Sequence, residues 1–165
     1  MKLNHTISFL ILAVAFCGTA VAQSGSPVKH IQSETSGIAS AVWVGDTLYV
    51  SGQLPTPVTP ADRGKGSAAV WGDTKTQATS VFGKIEALLK EQGLGMGDVV
   101  MMHVYMAGDP ANGGKLDFAG MNAAFREYFG TKEQPNKPAR SAMQVAALVV
   151  PGPLLEVEVI AVKPK

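Results

Sequence analysis

The chain is 165 residues long, with 14 basic and 13 acidic side chains, three histidines and one cysteine. That length, with 46% apolar residues, suits one folded domain with a core of its own. The near balance of charge, with no basic block, argues against nucleic acid as the main partner, and a lone cysteine excludes an internal disulfide.

Residues 1–22 read as a secretory leader. Lys2 gives a basic start, Ile7 to Phe16 an apolar stretch broken only by Ser8, and Ala20-Val21-Ala22 a small-residue cleavage site. The apolar stretch falls short of the roughly 20 residues a membrane span needs. Cleavage after Ala22 is therefore expected rather than retention as an anchor, and bulky Phe16 disfavours lipid attachment at Cys17. The mature chain is expected to be periplasmic or secreted, with no membrane attachment. Cys17 leaves with the leader, and with it any thiol nucleophile or thiolate metal site. Loss of Lys2 brings the 14 basic residues level with the 13 acidic ones. His30 and His103 remain, without HxH or HExxH spacing, so no metal is expected.

Residues 23–36 are small and polar and read as a flexible N-terminal segment before a single domain, 37–165. Ala41 to Val44 and Thr47 to Ser51 flank Gly45-Asp46 and predict a β-hairpin. Residues 54–73 hold Pro55, Pro57, Pro60, Gly64, Gly66 and Gly72, and read as a long surface loop. A helix is predicted from Thr74 to Gln92, because Ala78, Val81, Phe82, Ile85, Leu88 and Leu89 recur at helical spacing. Asp73 or Thr74 suits its N-cap and Gly93 its stop. Val99 to Met106 reads as a central strand, and residues 108–115 as a loop. A second helix is predicted from Leu116 to Phe129, with Phe118, Met121, Phe125 and Phe129 as its apolar stripe. Thr131 to Pro138 is a linker. Strands are predicted at Ser141 to Val150 and Leu154 to Val162, joined by Pro151-Gly152-Pro153. The order β-β-α-β-α-β-β favours an α+β fold, a mixed sheet with two helices packed on one face. Its other face then needs cover, and the apolar closing strands predict burial between subunits.

Arg140 is one of only three arginines, with Arg63 and Arg126, and opens an apolar strand. A cation there is costly to desolvate unless something pairs with it. The next strand offers Glu156 and Glu158 at alternate positions, pointing to one face. Cation and carboxylate on adjacent strands would hold an anionic ligand and activate a water beside it. Taken alone, the two glutamates read better as the solvated outer face of a strand, with Leu155, Val157 and Val159 in the core. Asn122 lies between Phe118 and Phe125 on the edge of the helical stripe. Ser51 has no sequence-near His-Asp partners, which weakens a serine-hydrolase reading. His103, within an apolar strand, reads as a hydrogen-bonded core or interface residue.

Ser51-Gly52-Gln53, Asp117-Phe118-Ala119, Asn122-Ala123-Ala124-Phe125, Pro138-Ala139-Arg140-Ser141 and Glu156-Val157-Glu158-Val159-Ile160-Ala161 stand in an order that resembles the Rid family, also called YjgF or RutC-like. The resemblance covers residues 37–162. It implies a chorismate-mutase-like fold, a homotrimer with clefts between subunits, no cofactor, and hydrolysis of enamines and imines such as 2-aminoacrylate to 2-keto acids and ammonia. It assigns Arg140 to the carboxylate of the imine substrate and Glu156 to positioning or activating water. Ser51, Gly52 and Asn122 are implied to border the cleft. Where archetypal members carry an upstream tyrosine, this chain reads Gly37-Ile38-Ala39-Ser40, and Ala142 stands where cysteine is frequent. The loops 54–73 and 108–115 are longer than in compact members. The rivals are a trimer that binds small carboxylates without turnover, and a protein-protecting or RNA-cleaving role, the last disfavoured by the neutral charge.

The leader sets a first test. Mass spectrometry of the exported protein is expected to show a chain beginning at Gln23. An intact Met1 terminus in a cytoplasmic fraction would overturn the expectation of export.

Overall fold

The computed structural model describes residues 27–165, so the expected leader, Cys17 and the cleavage site lie outside the described residues. The described chain runs β1 (Val28–Ile31), β2 (Ala41–Val44), β3 (Thr47–Gln53), α1 (Thr74–Glu91), β4 (Val99–Met106), α2 (Phe118–Tyr128), β5 (Ala139–Gln144) and β6 (Leu155–Val162). The strands form one sheet in the order β1-β2-β3-β6-β4-β5. β4 and β5 run parallel and are connected through α2, since parallel neighbours cannot be joined by a tight turn. The other neighbours are antiparallel. The architecture is α+β.

Local chemistry explains most boundaries. The β2–β3 hairpin turns on Gly45, whose φ of 59° is what a primed two-residue turn asks of its first central residue. Asp73 caps α1 by accepting the Thr76 N–H at 2.8 Å, and this bond holds its carboxyl below the usual carboxylate range. Asp117 caps α2 by accepting the Gly120 N–H at 2.9 Å, so the helix starts at Phe118 rather than Leu116.

Strand alternation sorts the side chains. Leu48 and Val50 of β3, Met102, Val104 and Met106 of β4, and Leu155, Val157, Val159 and Ala161 of β6 are buried under the helices. They meet Val81, Phe82, Ile85 and Leu89 of α1 and Met121 and Ala124 of α2. Phe82 sits at the helix–helix contact, edge-on to Phe125 and Phe129 with centroids at 6.3 and 6.2 Å. The alternate residues, among them His103, Tyr105, Glu156 and Glu158, face the side without helices.

Three expectations need correction. The segment expected to be flexible contributes an edge strand, β1, paired with β2 in the register Val28↔Val44 to Ile31↔Ala41. β5 ends at Gln144 instead of Val150, because its partner β4 ends at Met106 and leaves residues 146–150 nothing to pair with. Val149 is consequently 82% exposed. Last, the two closing strands are not neighbours, because β4 lies between β5 and β6.

Gln77 ties these parts together. It is 1% exposed, donates through Nε2 to the Gly72 carbonyl at 3.0 Å and accepts the Leu154 N–H at 2.8 Å. It thereby fixes the chain as it enters β6. Gln77→Met keeps the volume but removes both bonds from a fully buried side chain and leaves the part-buried Leu154 N–H and Gly72 carbonyl without their partner, at about 1 kcal/mol or more for each bond. Urea unfolding is expected to show a loss of about 2 kcal/mol or more, and an unchanged midpoint would sink this role.

Candidate functional site

Arg140 is the second residue of β5 and pairs with Met102 of β4, so its side chain lies on the helix-bearing face. There its guanidinium sits 4.4 Å from the centroid of Phe125 and 5.5 Å from that of Phe118. Nη1 approaches the Met121 sulfur at 3.7 Å. All three neighbours belong to α2, whose 3.6-residue period brings Phe118, Met121 and Phe125 to one side. Burial lowers the guanidinium pKa from its usual value, and the charge of Arg126 lowers it further. Among the described residues the ion pairs are Lys65–Asp62, Lys75–Glu127 and His103–Glu158, and none involves Arg140. The cation is thus half-buried and stacked on aromatic rings, with no carboxylate against it. Stacking of this kind stabilises by about 0.5–2 kcal/mol, and it leaves the fork of N–H donors free for an anion. Asn122, half-buried on the same helix between Phe118 and Phe125, flanks it.

Glu156 is elsewhere. On β6 it alternates with buried Leu155 and Val157 and therefore faces the side of the sheet without helices. Its carboxylate lies against Gly52, where β3 bulges between Val50 and Gln53; a Cβ at position 52 would collide with it. A side chain at 52 would push the Glu156 carboxylate out of this position. Ser51 is next to it, donating its hydroxyl proton to the Ala39 carbonyl at 2.7 Å and leaving its oxygen free to accept. Ser51, Tyr49, Glu158 and Ile160 line a shallow hollow of about 260 Å³.

The sequence-predicted residues therefore fall into two groups. Arg140 and Asn122 share the α2 side of β5, and Glu156, Gly52 and Ser51 share the opposite side near β3. Within one chain they are two strands apart and on opposite faces. The expectation that cation and carboxylate stand on adjacent strands is corrected on this point, because β4 lies between β5 and β6.

One polar cluster was only partly legible. Glu158 Oε1 lies 2.9 Å from His103 Nδ1 and accepts the Tyr105 hydroxyl at 3.1 Å. This bond, with burial and the Glu158 charge, raises the Tyr105 pKa. Alternation placed these side chains on one face, but the sequence carried no sign that β4 and β6 are neighbours. Among the described residues no group of three or more His, Cys, Asp or Glu gathers as a metal site.

The chain is thus a small α+β domain that carries on its edge strand a guanidinium without an ion-pair partner among the described residues. Comparison with known proteins gives the family. A family model described as Endoribonuclease L-PSP matches residues 32–163. A RutC family protein of Pyrococcus abyssi is 36% identical over 125 residues, covering 76% of this chain and 85% of that one. The 2-iminobutanoate/2-iminopropanoate deaminase of Dermatophagoides farinae is 30% identical over 110 residues, covering 67% and 73%. The crystal structure of E. coli TdcF with bound serine superposes with a TM-score of 0.62 at 27% identity, covering 82% of this chain and 99% of that one. This chain belongs to the Rid (YjgF/RutC) family.

If Arg140 is held for a ligand, its removal should not harm the fold. Arg140→Met keeps the contact with the rings and removes a half-buried unpaired charge, a change that is often neutral or stabilising. Thermal melting is expected to be unchanged or raised, while binding of small carboxylates is lost. A clear fall in melting temperature would make Arg140 a structural residue.

Proposed function

We propose that this protein hydrolyses reactive enamines and imines of the 2-aminoacrylate type to 2-keto acids and ammonia, in clefts between copies of the chain. The observation that carries the proposal is the separation of Arg140 and Glu156 on opposite faces of the sheet. β5 is an edge strand, so Arg140 is open to a second copy. The side of the sheet without helices carries Glu156 and Gly52, together with Tyr49 at 47% and Met143 at 45% exposure, and is open to cover. Two copies meeting edge to face bring the guanidinium of one to the carboxylate of the next. Head-to-tail contacts of this kind can close into a ring, and the ring in this proposal is a trimer. The deaminase named among the relatives supports the reaction class.

The chemistry follows from the groups. The Arg140 fork binds the substrate carboxylate through two parallel hydrogen bonds. An enamine enters as its imine tautomer after a proton reaches its β-carbon. Glu156 of the neighbouring copy accepts a proton from water as the water oxygen bonds to the imine carbon. The C=N electron pair moves to nitrogen, which takes up a proton from solvent. The tetrahedral intermediate then expels ammonia as the C=O bond forms and its hydroxyl proton passes to solvent. Glu156 returns its proton to the departing nitrogen, so the net reaction consumes one water. We place this activity outside the cytoplasm on the character of residues 1–22.

Mixed subunits test the reading. Arg140→Ala alone is expected to lose carboxylate binding and turnover, and Glu156→Gln alone to keep binding while turnover falls about 100-fold or more. Unfolding and refolding the two variants together should restore activity in roughly a quarter of the sites of a randomly mixed ring, since each site draws one residue from each of two copies. No recovery would overturn the shared site. A wild type that binds carboxylates but turns over no imine, unaffected by Glu156→Gln, would leave a binding protein.

A further inference from the structure

The sheet carries a second recess, at the edge away from Arg140. Lys29 of β1 pairs with Trp43 of β2, Trp43 with Leu48 of β3, and Leu48 with Ala161 of β6. Leu48 and Ala161 are buried under the helices, and residues paired across antiparallel strands share a face. Trp43 and Lys29 therefore lie on the helix-bearing face. α1 stops at Glu91 and leaves a recess of about 310 Å³ beyond its end. Lys29, Trp43, Asp46, Gln92 and Lys163 line it. That volume is at the lower end of the range for small-molecule pockets, about 300–1,000 Å³. Four strand spacings, on the order of 20 Å, separate β2 from the strand of Arg140.

The walls differ in character. Trp43 is half-buried and packs against the core. Its indole N–H donates to Gln92 Oε1 at 3.2 Å, which pins the ring to the end of α1 and satisfies its one polar atom. What the ring offers the recess is thus flat apolar surface. Backbone bonds tie the rim together. The Gly45 N–H donates to the Pro27 carbonyl at 3.1 Å, and the Lys163 N–H to the Asp46 carbonyl at 2.9 Å. Lys29 and Lys163 bring two positive charges and Asp46 one negative, a surplus of one cation. Among the described residues none of the three stands in an ion pair. A lysine on an edge strand also discourages pairing with another chain, which accounts for Lys29. It does not account for Lys163, which follows the inner strand β6, or for the pinned ring beside it.

We infer that this recess binds a small aromatic monocarboxylate, at a site separate from that of Arg140. The ligand ring lies against the Trp43 indole, and its carboxylate meets Lys29 and Lys163. A surplus of one positive charge matches one carboxylate better than a phosphate or a dicarboxylate, and the volume suits a single ring with a short acid side chain. The inference does not depend on the proposed hydrolysis.

Phenylacetate and 2-phenylethanol share a ring and a two-carbon chain and differ in charge, which makes them suitable probes. Trp43 and Trp71 are the chain's two tryptophans, and Trp71 lies against Gly152 in another part of the fold. Trp71→Phe therefore leaves an emission that reports on Trp43 alone, and Arg140→Ala in the same chain removes the other carboxylate anchor. Phenylacetate is expected to change this emission saturably and to bind about fivefold more tightly than 2-phenylethanol, the size two partly solvated charge contacts support. The preference should shrink as salt is added. Lys29→Gln and Lys163→Gln are each expected to weaken phenylacetate about two- to threefold and to leave 2-phenylethanol unchanged. In the unsubstituted mature protein, the amide NMR signals of Gly45, Gln92 and Lys163 are expected to shift with phenylacetate, a measurement that needs no variant to fold. No saturable response of Trp43 and no shift of these amides would overturn the inference. So would equal binding of the two compounds, or a preference that survives both lysine substitutions. A response present in the Trp71→Phe chain and lost on adding Arg140→Ala would place the ligand at the other site and overturn it as well.

Discussion

The placement of β6 between β3 and β4 is the constraint on which the rest of the molecule depends. Its two-residue period sends Leu155, Val157, Val159 and Ala161 into the core and Glu156 and Glu158 to the other side. A slip of one residue would bury two carboxylates and expose the apolar set. The core residues of β3, β4, α1 and α2 all meet that apolar set, and Gln77 fixes where the strand begins. The same insertion pushes β5 to the sheet edge and so sets Arg140 apart from Glu156.

Arg140 shows how stability and function pull apart. The fold surrounds its guanidinium with Phe118, Phe125 and Met121 rather than with a carboxylate. Ring stacking offsets part of the desolvation cost of the half-buried cation. Glu156 is treated in the opposite manner. It lies against a glycine at a bulge, where the absence of a side chain gives the carboxylate room. Each of the two groups is shaped by its own local packing, on its own face of the sheet.

Much of the architecture was written in local sequence. Asp73 announced the start of α1, the Val81–Phe82–Ile85–Leu89 spacing announced its buried face, and Gly45-Asp46 announced the hairpin, whereas the helical reading from Leu116 ran through Asp117, the cap of α2. Each is decided by residues within a turn or two. β1 was missed because Val28–Ile31 is largely exposed and its only partner lies ten or more residues on. The end of β5 was overrun because Val145 to Val150 have β-type side chains, while the strand that could have paired them stops at Met106.

By itself, the sequence determined the residue types available for chemistry: an arginine in an apolar setting, alternating glutamates, and the motif order that marks the Rid family. Composition and short-range periodicity carry such information because they do not depend on which strands become neighbours. The tertiary structure alone decided that β4 separates Arg140 from Glu156, that the two face opposite ways, and that Glu158 is bound to His103 and Tyr105. Those relations depend on strand order and on the packing of α2 over β5. Both are set by burial of the whole apolar surface at once, which no single stretch of sequence specifies.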